Sequence, residues 1–293
     1  MNWQKCLKIR GTLKADEHLA RHTSFKIGGH AQLWAEPARA PDLQNLVNFA
    51  RTKKLPLRII GAGSNILIAD KKLKGIVVKL NSPYFKKITI RRRLVSAGAG
   101  ASLSRLVRRT QQAGLSGFEL LAGIPGTVGG ALIMNSGNIG DRLIDVTVMD
   151  RYGRIKALLK KDTRFIYRDS NLKRYIILNV SFKLKKKNKM AIAKFIKNYL
   201  DYRWEVQDYR YPSAGCFFKN PGSKSAAYFI ERAGLKGCSF RDAAVSLKHA
   251  NFIINKGKAS SSDVLKLAEY ITRRVRKKFN LNLKPEVKIW KQI

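Results

Sequence analysis

The sequence predicts an α+β protein with more than one domain. Segments with strand periodicity and segments with helix periodicity occur in both halves of the 293-residue chain, and no internal repeat is evident. Hydrophobic residues make up 45% of the chain, which excludes a disordered protein. A chain of this length buries enough apolar surface to fold without a metal or disulfide, and its length favours two domains or three lobes.

Helix and strand signals alternate through the first half of the chain. A helix is predicted over 41–55, where apolar residues recur at helical spacing after Pro41. A second helix is predicted to begin near Leu103 and to end at Gly114. Strands are predicted over residues 57–60, 75–80, 94–97, 144–149, 154–158 and 175–182.

A Lys-rich stretch, 183–189, predicts a domain boundary. Beyond it, helices are predicted over 190–203 and 226–233 and a strand over 251–254. A long final helix follows, with Ser262 or Asp263 as its N-cap.

Residues 120–140 are uncharged over a length of about one membrane span. Six glycines and Pro125 would leave their backbone unsatisfied in lipid, so we expect a buried loop-and-strand segment. The first ten residues lack the apolar core of a signal peptide, and the three cysteines include no C-x-x-C pair. We therefore expect a cytoplasmic protein without a membrane span.

The chain is strongly basic, with 59 Lys and Arg against 19 Asp and Glu, a net charge of +40. Such a charge is compatible with nucleic-acid binding. The basic residues are spread along the chain, however, and no motif that reads RNA or DNA accompanies them. A generally basic surface that steers an acidic substrate is favoured, and no specific nucleic-acid partner is expected.

Two loops are rich in glycine, and the first of them follows a predicted strand directly. Gly61-Ala-Gly-Ser-Asn65 begins like a dinucleotide fingerprint, but Ile66 stands where its last glycine is required, which excludes a Rossmann site. Gly123-Ile-Pro-Gly-Thr-Val-Gly-Gly130 lacks the Lys and Ser/Thr of a P-loop. Loops with few side chains let backbone N–H groups approach a phosphate closely. Together with Thr23-Ser-Phe-Lys-Ile-Gly-Gly29, they favour a phosphate-bearing cofactor over plain tight turns.

The histidines do not indicate a metal site. His18 and His22 are four residues apart, which could put both imidazoles on one helix face, but no Cys or carboxylate stands at a helpful spacing. His249 is either a structural hydrogen-bonding residue or a substrate contact.

The thiol of greatest interest is Cys216, which follows Gly215 and precedes two phenylalanines. It is either a buried thiol that packs as a small hydrophobe or an acid or nucleophile held by a glycine turn. Cys6 and Cys238 lack such a setting and are expected to be inert.

Eight segments, taken in order, carry a family resemblance that no single segment would establish. They are Thr23-Ser-Phe-Lys-Ile-Gly-Gly29, Gly61-Ala-Gly-Ser-Asn-Ile-Leu67, Gly123-Ile-Pro-Gly-Thr-Val-Gly-Gly130 with Met134-Asn135, Tyr167-Arg-Asp-Ser170, Pro212-Ser-Ala-Gly-Cys-Phe-Phe-Lys-Asn-Pro221, Gly234-Leu-Lys-Gly237, Lys248-His-Ala-Asn-Phe252 and Pro285-Glu-Val287. From about residue 20 onwards, the chain resembles the UDP-N-acetylenolpyruvoylglucosamine reductases, also called UDP-N-acetylmuramate dehydrogenases. Tyr167-Arg168 is followed closely by Ser170-Asn171. This compact spacing resembles the shorter, type II-like subclass, which lacks an extra substrate-covering loop.

The resemblance implies a two-lobed FAD-binding region of the vanillyl-alcohol-oxidase type and a C-terminal α+β substrate-binding domain. The FAD-binding region would span 1–190, with lobes at about 1–82 and 83–190. The substrate-binding domain would span 191–293, with its last segment, 284–293, returning to the active site.

The resemblance also implies the reaction, a step of peptidoglycan precursor synthesis in cell-wall biogenesis. NADPH would reduce FAD, and the reduced flavin would pass hydride to the enolpyruvyl ether of UDP-N-acetylglucosamine. Protonation of the resulting enolate-like centre would yield UDP-N-acetylmuramate.

Residue roles follow from the same resemblance. Arg168 would stabilise developing negative charge, Glu286 would position the enolate, and Cys216 would stand as the proton donor where the family most often has serine. Lys219 and Asn220 would bind the sugar-nucleotide substrate. The residues expected to bind FAD are Gly61, Gly63, Ser64, Asn65, Ile124, Gly126, Thr127 and Gly130.

The sequence departs from the family pattern at several turns. Asp208 stands where proline is usual, residues 239–243 replace a glycine-rich turn, Trp290 replaces a glycine, and residues 135–140 read Asn-Ser-Gly-Asn-Ile-Gly. Two alternatives stay open on the sequence alone. One is a FAD-dependent alcohol oxidase of the same superfamily, and the other is a basic nucleic-acid-binding protein.

Overall fold

A computed structural model describes residues 7–222 and 224–291 of the chain. The chain divides into two compact units that are interleaved in sequence. Unit one consists of residues up to Asp16, Gln32–Ala62 and Lys74–Asp201, and unit two of Glu17–Ala31, Gly63–Leu73 and the chain from Tyr202 onwards. The sequence predicts contiguous ranges for the FAD-binding lobes and the substrate-binding domain, whereas the two compact units alternate along the chain. The assignment of the predicted ranges to FAD binding and substrate binding stays a prediction.

Helices and strands are numbered along the described chain. The helices are α1 (Ala40–Thr52), α2 (Pro83–Lys86), α3 (Leu103–Gln112), α4 (Val128–Ile133), α5 (Lys189–Val206), α6 (Ala226–Arg232) and α7 (Ser261–Phe279). The longer strands are β1 (Gly11–His18), β2 (His30–Pro37), β3 (Leu57–Ile60), β4 (Ile66–Ile68), β5 (Leu73–Lys79), β6 (Ile88–Arg91), β7 (Leu94–Gly98), β9 (Leu143–Met149), β10 (Ile155–Leu159), β13 (Ile176–Lys183), β15 (Ser213–Cys216), β17 (Ala243–Val245), β18 (Phe252–Asn255) and β19 (Lys288–Trp290). Two-residue strands are β8 (Leu115–Ser116), β11 (Phe165–Ile166), β12 (Asp169–Ser170), β14 (Lys185–Lys186) and β16 (Ser239–Phe240).

Unit one contains a five-stranded sheet and most of a four-stranded sheet. The five-stranded sheet is antiparallel, with the order β10-β9-β13-β7-β6. The four-stranded sheet has the order β1-β2-β5-β3, with β3 and β5 parallel. α1 buries Leu43, Leu46 and Val47 in the core of this unit, as their helical spacing predicts.

Unit two is built on a four-stranded antiparallel sheet with the order β15-β18-β17-β16. α7 packs near β16 and β17 and buries Val264, Leu267 and Ile271 in the core of the unit. A separate parallel pair joins β19 to β4, with Lys288 opposite Ile66. The last described strand is therefore held by a strand more than two hundred residues earlier in the chain.

Most predicted elements are confirmed within one to three residues of their predicted ends, but the prediction for residues 120–140 is wrong. This segment is helical, with 3₁₀ turns at Glu119–Leu121 and Ser136–Arg142 on either side of α4. Gly129, inside α4, serves close packing of the helix. A Cβ on Gly129 would lie 3.0 Å from the Cβ of Ala99, so α4 approaches its neighbour more closely than an alanine would allow.

Within residues 7–222 and 224–291, no helix combines the length and the apolar character needed to cross a bilayer.

The N-cap of α7 also differs from the prediction. Ser260 is the cap, because its Oγ accepts the N–H of Asp263 at 3.1 Å and its own N–H donates to Asp263 Oδ2 at 2.9 Å. Asp263 thus stands at the third helical position of a capping box, and Ser262 is an exposed residue of the first turn.

Ser260→Ala should lower the free energy of unfolding by about 1 kcal/mol, because a helix N-terminus loses its side-chain acceptor. Ser262→Ala is the matched control and should change that free energy by less than about 0.5 kcal/mol. Urea unfolding measures both variants. Equal losses in the two would contradict the assignment of the cap.

Candidate functional site

In unit one, two of the loops predicted to bind FAD lie against each other. Gly61 follows β3, and Thr127 immediately precedes α4. A Cβ on Gly61 would come within 2.6 Å of Thr127 Oγ1, so this close approach requires glycine. Thr127 Oγ1 also accepts the N–H of Gly130 at 3.4 Å. The structure therefore brings together three of the residues predicted to bind FAD.

The loop that leads into α4 presents backbone N–H groups with few side chains around them. Gly123 and Gly130 are exposed and Gly126 is half-buried. The N–H groups of Gly123, Gly126 and Thr127 donate to no acceptor within the described part of the chain. Ile124, in the same loop, is half-buried and packs on the core of unit one. Clustered backbone donors of this kind fit a phosphate-bearing ligand.

Arg168 lies in a two-residue hairpin turn, Tyr167-Arg168, between β11 and β12. Its φ is 57°, in the left-handed region, which costs a residue with a side chain about 1–2 kcal/mol. The Nε atom is buried, and the guanidinium carbon lies 5.3 Å from the centroid of the Tyr167 ring. Ser170 Oγ donates to Ile133 O at 3.0 Å, which ties the hairpin to the end of α4. The anchored turn holds Arg168 in this conformation in spite of its cost.

In unit two, the remaining residues predicted to bind FAD lie beside the segment that contains Glu286. Gly63 is buried with a φ of 67°, and a Cβ there would lie 2.0 Å from a main-chain carbonyl oxygen, so only glycine fits. Ser64, which follows it, is half-buried. Asn65 accepts the N–H of Lys288 on its carbonyl at 3.0 Å, and its Nδ2 donates to Glu286 O at 3.5 Å.

Cys216 ends a bulged strand. Ser213 pairs with Ile254 and Cys216 with Phe252, so three steps along β15 match two steps along β18. Gly215, with a φ of 74°, accommodates the extra residue. Because side chains alternate along a strand, the bulge moves Cys216 to the same face as Ser213. The half-buried thiol packs against Phe252 and Ile254.

The chain after the thiol forms a short ladder with the segment that contains Glu286. The N–H of Glu286 donates to Phe217 O at 2.8 Å, and the N–H of Lys219 donates to Lys284 O at 2.9 Å. Cys216 and Glu286, both predicted to be catalytic, are therefore fixed on adjacent backbone segments of unit two.

The two residues predicted to bind substrate lie on the same segment as the thiol. Lys219 is half-buried, and Asn220 is exposed. Asn220 Oδ1 accepts the N–H of Ala226 at 3.0 Å, which anchors the segment to the beginning of α6. Seven predicted residues of unit two thus lie close along the backbone: four on two connected segments, and Gly63, Ser64 and Asn65 on the loop beside them.

Asp208, which departs from the family pattern, is a buried carboxylate with 1% of its side chain exposed. Its Oδ2 accepts Ser246 Oγ at 2.8 Å, and its Oδ1 accepts Arg210 Nε at 3.2 Å. Burial acts to raise the pKa of Asp208, but the hydrogen bonds from Arg210 and Ser246 outweigh it and lower that pKa below its ordinary value. At this position the chain therefore has a hydrogen-bonded carboxylate in place of the proline that is usual in the family.

The contacts of His249 support the structural interpretation over the substrate contact. Burial lowers the pKa of His249, and its Nδ1 accepts the N–H of Asn251 at 3.2 Å. The ring packs on Phe252 with a centroid distance of 4.5 Å. A neutral imidazole in this position acts as a hydrogen-bond acceptor that shapes the turn before β18.

The other positions that depart from the family pattern adopt either left-handed backbone or regular strand structure. Residues 239–243 make the hairpin between β16 and β17, with Arg241 at a φ of 49°. Asn135 and Asn138 also adopt left-handed backbone, which asparagine tolerates better than most residues. Trp290 lies in β19 opposite Ile68, so its backbone belongs to the parallel pair.

Within the described part of the chain, no group of three or more His, Cys, Asp or Glu could hold a metal ion. His18 ends β1 and His22 lies in a 3₁₀ turn, so the two do not share a helix face. His22 Nε2 lies 2.9 Å from Glu17 Oε1. Cys238 is a half-buried thiol, and Cys6 lies outside the described residues.

Comparison with known families matches both parts of the chain. Residues 31–158 match the family described as FAD binding domain, and residues 207–290 match the C-terminal domain of UDP-N-acetylenolpyruvoylglucosamine reductase. These matches confirm the predicted fold class of a FAD-binding region followed by a C-terminal domain of mixed helix and strand.

Relatives agree over almost the whole chain. A UDP-N-acetylenolpyruvoylglucosamine reductase of Caldanaerobacter subterraneus is 42% identical over 95% of this chain and 94% of its own length. One of Heliobacterium modesticaldum is 39% identical over 96% of this chain and 91% of its own length. The crystal structure of the reductase from Thermus caldophilus covers 97% of this chain and 100% of its own, with a TM-score of 0.82 and 34% identity. On this agreement of sequence and fold, the chain belongs to the UDP-N-acetylenolpyruvoylglucosamine reductase family.

Proposed function

We propose that this chain reduces UDP-N-acetylglucosamine enolpyruvate to UDP-N-acetylmuramate with FAD as cofactor and NADPH as hydride donor. The observation that carries the proposal is the ladder of unit two. It fixes a thiol, a lysine and a glutamate, Cys216, Lys219 and Glu286, on two hydrogen-bonded segments. Whole-length reductase relatives disfavour both an alcohol oxidase and a nucleic-acid-binding protein.

The residues predicted to hold FAD fit a phosphate-bearing cofactor. In unit one, the loop before α4 offers N–H groups that use no acceptor within the described residues. In unit two, Gly63 allows the loop before β4 to pass close to a main-chain carbonyl oxygen. When bound, FAD supplies hydride transfer from NADPH to the enolpyruvyl alkene.

Cys216 is the proposed proton donor. An ordinary thiol has a pKa of about 8.5, so it carries its proton at neutral pH and gives it up more readily than the hydroxyl that is usual in the family. The bulge at Gly215 fixes which face of β15 the thiol occupies. The thiol would donate its proton to the carbon next to the one that receives hydride.

Arg168 and Glu286 are proposed to bind and orient the reacting group. The planar guanidinium of Arg168 can donate two parallel hydrogen bonds to the substrate carboxylate, where negative charge grows during the reaction. The backbone N–H of Glu286 donates to Phe217 O, and this hydrogen bond fixes the backbone position from which the glutamate side chain extends. Lys219 and Asn220 would bind the nucleotide diphosphate part of the substrate.

Replacing Cys216 tests the proton donor. Cys216→Ala should leave the rate of flavin reduction by NADPH within about twofold of wild type, and should slow flavin reoxidation by the enolpyruvyl substrate about 100-fold or more. Cys216→Ser should recover part of that loss because it restores an O–H donor. Anaerobic stopped-flow absorbance measures each half-reaction.

The matched control for the thiol is Cys238→Ala, since Cys238 is also half-buried and lies in unit two. It should reoxidise at the wild-type rate. Normal reoxidation in Cys216→Ala, or equal slowing in both variants, would show that Cys216 is not the acid.

Replacing Arg168 by Gly separates backbone strain from chemistry. Glycine relieves the positive φ but adds entropy to the unfolded chain, so the free energy of unfolding should stay within about 1 kcal/mol of wild type. Reoxidation by substrate should fall about 100-fold, because the charge that stabilises the developing enolate is lost. Urea unfolding and stopped-flow absorbance measure the two effects.

Arg241→Gly is the control for Arg168, because Arg241 is also an arginine with positive φ in a hairpin turn. It carries the same backbone change and should keep the wild-type reoxidation rate. Comparable loss of reoxidation in the two variants would refute the proposed role of the Arg168 guanidinium.

A further inference from the structure

We propose that Asn251 is a positioning residue for the protonation step, and this inference rests on the proposed function. Its buried carboxamide fixes the backbone immediately after the thiol and so sets where Cys216 and Glu286 stand relative to each other. From the sequence, Asn251 is only the first residue of a predicted strand and part of the motif Lys248-His-Ala-Asn-Phe252.

The carboxamide of Asn251 makes two hydrogen bonds to one residue. Its Nδ2 donates to Phe218 O at 2.8 Å, and its Oδ1 accepts the N–H of Phe218 at 2.9 Å. The Asn251 carbonyl accepts the N–H of Phe217 at 2.7 Å. The side chain therefore makes the hydrogen bonds that a neighbouring strand would make. It holds residues 217 and 218, which follow the end of β15.

The opposite edge of the same segment carries Glu286. Phe217 O accepts the N–H of Glu286 at 2.8 Å, and Phe218 forms a bridge with Pro285. Residues 217 and 218 are thus held from one side by Asn251 and from the other by the segment of Glu286. A shift of residues 217 and 218 would disturb both sets of contacts and so change where the thiol stands relative to Glu286.

Both groups of Phe218 are satisfied only by a side chain of this length that carries one donor and one acceptor. Asn251 is 2% exposed and Phe218 is 1% exposed, so water cannot replace a lost partner. An unpaired buried donor or acceptor costs about 1–3 kcal/mol, and the segment would move to relieve it. A displacement of about 1 Å at a reacting group can slow a reaction about 100-fold.

The variant Asn251→Asp should satisfy both groups of Phe218 only while its carboxyl group is protonated, so its effect on the reaction should depend on pH. A protonated aspartic acid can donate to Phe218 O and accept from its N–H as asparagine does, whereas the carboxylate can only accept and would face a carbonyl oxygen. Burial raises the pKa of a carboxyl group, so the protonated form should persist at mildly acidic pH. Titratable groups adjoining this position include His249, whose Nδ1 accepts the Asn251 N–H, and Cys216 and Glu286 on the segments already described.

Asn255, the last residue of β18, provides a matched control for Asn251, which immediately precedes that strand. It is 3% exposed, its Nδ2 donates to Phe25 O at 3.2 Å, and its Oδ1 accepts the N–H of Gly257 at 3.0 Å. Asn255→Asp thus breaks an equally buried carboxamide clamp that does not touch Phe218. It reports the cost of a buried aspartate without the proposed effect on position.

The experiment measures anaerobic reoxidation of NADPH-reduced, FAD-loaded protein by the enolpyruvyl sugar nucleotide, between pH 5 and pH 8. The ratio of the limiting rate of Asn251→Asp to that of wild type should fall at least about tenfold as pH rises, with half-saturating substrate concentration changed less than about threefold. The ratio for Asn255→Asp should stay flat. Flavin reduction by NADPH should match wild type in both variants.

Each outcome decides a separate claim. Wild-type protein that is not reoxidised by the substrate overturns the proposed function, and the role of Asn251 with it. Normal wild-type reoxidation with a flat ratio for Asn251→Asp, or equal falls in both variants, overturns the positioning role alone. If Asn251→Asp does not retain FAD at pH 5, Asn251→Ser replaces it, and a limiting rate within about twofold of wild type overturns the proposal.

Discussion

The short ladder after Cys216 is the constraint on which the arrangement of unit two depends. β15 is only four residues long and is bulged, so it cannot by itself define where the next residues go. Glu286 holds one edge of the segment through Phe217 O, and Asn251 holds the other. The buried rings of Phe217 and Phe218 then fix the segment in the core. The thiol owes its place to contacts made by residues that are distant in sequence.

Local rules of backbone conformation are broken where function is proposed. Arg168 has a positive φ in a turn that glycine would form more easily, and Gly215 introduces a bulge just before the thiol. Each deviation costs stability, and each is held in place by its surroundings, the first by the bond from Ser170 and the second by pairing across β18. A positive φ at a residue with a side chain persists where the surrounding structure holds it, as it also does at Arg241.

The sequence predicts most of the fold because periodicity and turn residues are local signals. It fails at residues 120–140, since glycines that look like breakers instead let α4 pack closely on Ala99. Motifs predict Cys216 and Glu286 as site residues, and the structure connects their backbone segments by hydrogen bonds, while their catalytic roles stay predictions. Asn251 and Asp208 escape prediction because their roles arise from side-chain hydrogen bonds to Phe218 and Ser246, across separations of 33 and 38 residues that no local pattern records.

The central claim is that this chain couples NADPH oxidation to reduction of an enolpyruvyl sugar nucleotide through a bound flavin. The most direct test is the visible spectrum of the purified protein under anaerobic conditions, recorded before and after NADPH and again after the substrate is added. The account predicts flavin absorption bands that bleach with NADPH and return with the substrate. A protein that cannot be loaded with FAD, or whose bleached bands do not return when the enolpyruvyl sugar nucleotide is added, would contradict it.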